Sequence, residues 1–312
     1  MDKIERIERR LKLHDMRVLL WVAQAGSMHK AAERLGTSQP AVSRSISDLE
    51  HALGVRLFDR SRRGVEPTEY GRAIIRRGIA VFDEIRQGVR DVEFLADPTA
   101  GELRIGSSEA TAAGPAFAVM DRLARRHPRI VFNVVTGGLQ TLYQSLVERS
   151  VELVMTGITS PVPEELVAEN LFDDSLFVAS GLQNPWTRRR KIELAELVDE
   201  PWTLPPYDSN PGVLLVDAFR ASGLDLPRIA VVTLSLNLRI RLLATGRYLT
   251  MLAGYALTPP SKYPLIKALP VELPNVRRSI VIITLRNRTL SPLAELFIRT
   301  AREVTKPLAK RK

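Results

Sequence analysis

The sequence predicts an α/β protein of more than one domain, with a small helical unit first, then one long helix, then a larger region of alternating strands and helices. Three observations predict it. The chain has 312 residues, more than one ordinary core holds. The stretch "AAERLGTSQPAVSRSISDLE", Ala31 to Glu50, breaks a helical pattern with Gly36, Ser38 and Pro40 and restarts it at once. Beyond Gly101, strand-like runs such as "ELRIGSS" and "RIVFNVV" alternate with helical ones.

Composition bounds the rest. With 45% apolar and 26% charged residues the chain is globular. A net charge of +10 favours polyanionic partners or acidic membrane surfaces. The absence of cysteine excludes disulfides, thiolate nucleophiles and Cys-ligated zinc. "MDKIERIERRLK" has charges throughout and no apolar core, so it does not read as a secretory signal. The longest greasy stretch, Tyr248 to Leu257, is about half of what a bilayer crossing needs. A cytoplasmic protein without a membrane partner is expected.

In the leading unit, Met16, Leu19, Leu20 and Ala23 fall at helical spacing within Asp15 to Ala25. Ser27 can cap a second helix from Met28 to about Leu35, ended by Gly36. Thr37 and Ser38 offer oxygens to the first amides of a third helix, and Pro40 sits in its first turn, where a missing N–H costs little. Val42, Ile46 and Leu49 fall at i, i+4 and i+7 and face inward. Gln39, Ser43 and Ser47, with Arg44 beside them, then face outward. Such side chains read base edges in a major groove: Arg forks onto guanine, Gln onto adenine, Ser onto donors or acceptors. The break then reads as the turn of a helix-turn-helix, the plainer alternative on this pattern alone being a helical hairpin with a solvated outer face. In "GVRLFDRSRRGVEPTEYG", Gly54 to Gly71, Leu57 and Phe58 start a short strand and Val65 a return strand. Arg60, Arg62 and Arg63 cluster at the turn ending in Gly64, as in a wing whose arginines reach phosphates or the minor groove.

From Ala31 to Gly71 the sequence resembles the LysR-type transcriptional regulators. The matching series are A-A-x-x-L, S-Q-P-[AS]-[LV]-S-R, L-E-x-x-L-G-x-x-L-F-x-R and T-x-x-G. The resemblance implies that Gln39, Pro40, Ser43 and Arg44 approach bases and that a wing arginine approaches the backbone; Ser38 and Ser47 join them as DNA-binding candidates. Met28 stands where members often carry an aromatic residue. The implied partners are double-stranded DNA, a small-molecule effector, RNA polymerase, and a second copy of the chain, in a dimer or tetramer. No cofactor is implied.

From Thr68 to Leu95 runs one long helix. Ile75, Phe82 and Val89 stand seven apart, and Gly78, Ile85 and Val92 repeat the spacing three residues on. This makes a heptad-like seam that cannot bury itself, and with the resemblance it reads as a dimer linker holding two heads over two half-sites. Pro98 and Gly101 in "ADPTAGEL" break the chain. The strand–helix order beyond it argues for a parallel α/β sheet. The family layout implies two lobes resembling periplasmic binding proteins, with a ligand cleft between them. The expected boundaries are 11–70 for the winged helix-turn-helix, 71–95 for the linker, and 101–305 for the effector-binding domain. Lobe I would take 101–171 and 276–305, and lobe II 172–275.

Open α/β sheets bind ligands beyond the carboxyl ends of their strands. Those ends carry Ser107, Ser108 and Glu109; Thr136, Gly137 and Gly138; and Thr156 with Gly157. Pro205, Pro206 and Tyr207 are expected to face them, with Ser235 and Asn237. Hydroxyls and helix-start amides suit a carboxylate or another small anion, and the same small residues also suit tight βα turns. Leu139 stands where the family often has a hydroxyl.

An enzyme is not expected. His14, His29, His51 and His127 are scattered, and there is no H-E-x-x-H, nucleophile elbow, Walker loop or dinucleotide fingerprint, so no catalytic or metal residue is assigned. The alternatives are a ligand-independent DNA-binding repressor with a structural C-terminal domain and a cytoplasmic small-molecule-binding protein.

Overall fold

The computed structural model describes residues 5, 7, 9–61, 64–257, 263–274 and 276–309; at Arg60 it describes the backbone alone. The contacts divide the chain into two compact units, Met1–Gly88 and Val89–Lys312.

The first unit opens with α1 (Leu13–Ala25), α2 (Met28–Leu35) and α3 (Gln39–Leu53). The Ser27 hydroxyl accepts from Lys30 N at 3.4 Å to start α2. At the end of α2, Gly36 lies at φ 62°, which an L side chain adopts only with strain, and Thr37 N donates to Ala32 O at 3.0 Å. Val18, Leu19, Val22, Val42, Ile46 and Leu49 bury together with Leu57 and Phe58. Full burial of each large side chain contributes roughly 1.5–3 kcal/mol.

The wing is β1 (Phe58–Ser61) and β2 (Gly64–Pro67), antiparallel, with Ser61 opposite Gly64. Glu50 of α3 holds its root: its Oε1 accepts from Leu57 N at 2.7 Å and Phe58 N at 3.3 Å. Thr68 donates its hydroxyl to Arg56 O at 2.8 Å and accepts from Gly71 N at 3.0 Å. A Cβ on Gly71 would fall 2.0 Å from Leu57 O. The T-x-x-G spacing is thus a helix cap joined to a close backbone crossing.

Helix α4 (Glu69–Ala96) has 28 residues. The heptad reading needs a correction in its first half. Ile75 packs on the head core, Phe82 is buried under the Arg17 guanidinium at 5.0 Å, and Gly78 admits the Met16 side chain. The small head requires this apolar surface for itself. Ile85, Val89, Val92 and Leu95 remain exposed.

In the second unit, β3 (Ala100–Ser107) pairs in parallel with β4 (Arg129–Thr136) and β5 (Leu153–Ile158). Helix α5 (Phe117–Arg126) connects β3 to β4, and α6 (Leu139–Val147) connects β4 to β5. Helix α5 starts only at Phe117, because Gly114 just before it has non-helical angles and Pro115 follows it. The expected parallel sheet is in fact mixed. β11 (Arg277–Leu285) runs antiparallel to β5 and to β6 (Leu166–Gly181). The reason is topological, since β6 carries the chain out of lobe I, β11 brings it back, and adjacent outward and return strands must oppose each other.

Along β6 the partner changes from β11, through Ser175, to β9 (Leu249–Ala253), from Leu176. The crossing therefore lies just beyond the expected Leu171. Lobe II adds β7 (Trp202–Leu204), α7 (Asn210–Ala221), β8 (Ile229–Val232), α8 (Leu236–Ala244) and β10 (Ile266–Ala268). Trp202 is fully buried, edge-on to Phe219 at 5.8 Å, and donates from Nε1 to Leu197 O at 2.7 Å. Helix α9 (Pro292–Ala309) closes the chain and packs on lobe I. No described helix is long and apolar enough to cross a membrane.

Candidate DNA-reading face and effector cleft

Helix α3 divides cleanly. Val42, Ile46 and Leu49 are buried, while Gln39, Pro40, Arg44 and Ser47 are exposed and Ser43 is half-buried. Ser38 is the N-cap, its hydroxyl accepting from Ala41 N at 3.4 Å. Ser45, beside Arg44 in sequence, turns inward and donates to Asp15, which fixes the helix rotation against α1. Arg62 and Arg63 lie outside the described residues, as does the Arg60 side chain. Ser38→Ala is expected to cost about 1 kcal/mol through loss of the cap. Urea denaturation of the full chain checks it, and an unchanged head transition would assign the cap no energetic role.

This face fits duplex DNA by its chemistry, and relatives decide the family. A bacterial regulatory helix-turn-helix family model of the lysR type matches residues 13–72, and the LysR substrate binding domain matches residues 96–306. The chain belongs to the LysR family. It is a LysR-type DNA-binding transcriptional regulator, and its relatives are regulators rather than enzymes. It is 29% identical to the HTH-type transcriptional regulator GbpR of Azospirillum brasilense over 79% of this chain and 73% of that protein. It is 30% identical to the small neutral protease regulatory protein of Streptomyces coelicolor, over 77% of this chain and 73% of that one. Among solved structures, full-length OxyR C199D from Pseudomonas aeruginosa matches with a TM-score of 0.67 at 20% identity, covering 95% of each chain. Full-length CbnR complexed with its target DNA matches at 0.65 and 20% identity, covering 94% of this chain and 100% of that one.

In this LysR-type regulator, a cleft of about 790 Å³ opens between the lobes of the second unit. Lobe I lines it with Ser108, Glu109, Thr136, Gly137, Gly138, Thr156 and Gly157, all at the expected strand ends. From lobe II come Pro205, Pro206 and Ser235. Three of the expected residues are elsewhere. Ser107 is fully buried behind the strand and spends its hydroxyl on Met155 O at 2.7 Å. Tyr207 packs against the core, where burial pushes its phenol up. The Asn237 side chain is exposed outside the lining, and only its backbone N–H points to Glu109.

The sequence reading missed the cleft's charges. Arg239 of α8 and Arg278 of β11 both line it, with side chains more than nine-tenths buried. Arg239 Nη1 donates to Met251 O at 3.3 Å and to Thr250 Oγ1 at 3.4 Å. Arg278 Nη2 donates to Tyr255 Oη at 3.3 Å and to Asp174 Oδ2 at 3.4 Å. Neither Nε has a hydrogen-bond partner among the described residues. Burial first, with the repulsion of Arg278 and against the attraction of Glu109, lowers Arg239 to about 10, so at neutral pH it remains a cation. Burial pushes the Asp174 carboxyl up, against the pull of Arg278. No local pattern flags two arginines in separate strand and helix segments as one site. Asn210, also unforeseen, ties the lobes by donating to Gly157 O and accepting from Thr159 Oγ1.

Proposed function

We propose that this LysR-type regulator binds a pseudo-palindromic operator as a homo-oligomer in the cytoplasm and responds to a small carboxylate effector. The observation carrying the DNA side is α3, whose buried row leaves Gln39, Ser43, Arg44 and Ser47 along one presented edge. Arg44 and Gln39 read base edges, with Ser38, Pro40, Ser43 and Ser47 beside them, and Arg60, Arg62 and Arg63 of the wing contact the backbone. Ile85, Val89 and Val92, still exposed on α4, supply the helix-pairing seam. Ser108, Thr136, Gly137, Gly138 and Thr156 of the lobe I lining contact the effector, which biases one lobe arrangement by its differential affinity. RNA polymerase is the downstream partner.

Selection of genomic fragments by the full-length protein at moderate salt, with and without a panel of small carboxylates, tests this reading. Recovery of a few sites sharing an interrupted inverted repeat, altered by a carboxylate, is expected. Uniform recovery of random fragments would overturn the operator, and sites indifferent to every carboxylate would favour a ligand-independent repressor. Arg44→Ala should cost about 1–3 kcal/mol at one base position if that contact is bidentate. Competition with operator variants measures it, and equal losses on operator and random DNA would remove Arg44 from sequence readout.

A further inference from the structure

Glu109 does something in the cleft that a ligand contact does not require. It stands at the start of the segment after β3, in lobe I, and reaches the first turn of α8 in lobe II. Its Oε2 accepts from Leu236 N, and its Oε1 accepts from Asn237 N at 3.4 Å. The first amides of a helix are its anion-binding end, and here the protein's own carboxylate occupies them. Ser235 supplies the ordinary cap of the same helix, accepting from Leu238 N at 3.3 Å, so the helix does not need a second one from another lobe.

Arg239 provides an independent sign of a ligand. Its side chain is about 94% buried, lines the cleft one turn along α8, and has an Nε without a hydrogen-bond partner among the described residues. Arg278 repeats the pattern on β11. Two buried guanidiniums lining one cleft, each with a buried Nε unpaired among the described residues, supply the positive charge that an oxyanion needs. With Glu109 and Asp174 both present the four charges balance; with Glu109 swung away, one negative charge is missing.

We propose that Glu109 is an internal competitor, a built-in carboxylate that latches the lobes by holding the N-terminus of α8, and that a small carboxylate effector displaces it while being held by Arg239 and Arg278. This rests on the effector reading of the cleft and names its recognition chemistry. Effector binding then exchanges an intramolecular carboxylate for an external one, which releases the lobe-to-lobe contact. The effector's own affinity is reduced by the occupancy of the latch.

Succinate titrated into the full-length protein at constant ionic strength tests the latch, with binding read by calorimetry. Glu109→Ala should bind succinate about tenfold more tightly than the wild-type protein, as expected when a charge competing for a helix terminus and a buried cation is removed. Glu109→Gln keeps an oxygen on the α8 amides, preserves the fold if the alanine variant does not, and should show the same direction with a smaller gain. Adding Arg239→Met to either variant should abolish the gain. Equal affinity for wild type and both Glu109 variants would overturn the proposal, as would a gain that survives Arg239→Met. Operator affinity is measured in parallel without and with succinate. Tighter succinate binding that leaves operator affinity unchanged would uphold the latch and remove the effector reading, so the two fail separately.

Discussion

Asp174→Ala is expected to destabilise the C-terminal unit by about 3–5 kcal/mol, because it strands a buried guanidinium. Arg278 is 7% exposed, and besides Asp174 its hydrogen-bonded partner is the buried Tyr255 hydroxyl, which carries no charge at neutral pH. Asp174 also accepts from Tyr255 N at 3.3 Å, so the same change opens the backbone at the end of β9. Urea denaturation, followed by the fluorescence of Trp186 and Trp202 in a Trp21→Phe background, measures the loss. Replacing both partners, Asp174→Ala with Arg278→Met, should recover most of it, since a buried pair replaced together by apolar groups costs little. If the double variant is no more stable than the single one, the stranded charge is not the cause.

Ile46→Ala is expected to cost the head about 2–5 kcal/mol. Ile46 is fully buried at the centre of the cluster that joins α1, α2, α3 and the root of the wing, and a unit of this size has little stability in reserve. The consequence for function differs in kind from that of Arg44→Ala. Loss of the head core should remove affinity for operator and random DNA alike, whereas under the proposed readout Arg44→Ala should remove discrimination. Hydrogen exchange should show lost protection in α1–α3 with the strands of the C-terminal unit unchanged. Retained head protection together with weakened DNA binding would contradict the packing role given to Ile46.

Much of the head was legible in the chain. The second helix with its Gly36 end, the Ser38 cap, the inward row of α3 and the antiparallel wing all follow from spacings of a few residues, because caps and helical faces are local properties. The strand ends that line the cleft were legible for the same reason: Ser108, Thr136, Gly137 and Thr156 each follow a strand run, and the ends of neighbouring parallel strands converge. Three placements failed where a side chain had a choice of faces. Ser107 is one residue short of the cleft, and in a strand one residue reverses the side on which a side chain stands. Tyr207 and Asn237 lie in turns, where no period dictates direction.

The α4 seam shows a different limit. Heptad spacing states that Ile75, Phe82, Ile85, Val89 and Val92 share a face, and it does not state what covers that face. The head covers the first two.

The sequence by itself determined the family, the reading helix and the positions of the strand ends, since each depends on residues close together in the chain. Only the tertiary structure decided the cleft's electrostatics. Glu109 meets the amides of Leu236 and Asn237, and Arg239 and Arg278 sit near one another although they belong to a helix and a strand separated by β9 and β10. On an unfolded chain water screens each charge, whereas burial removes much of that screening and lets their mutual placement set the electrostatics of the cleft.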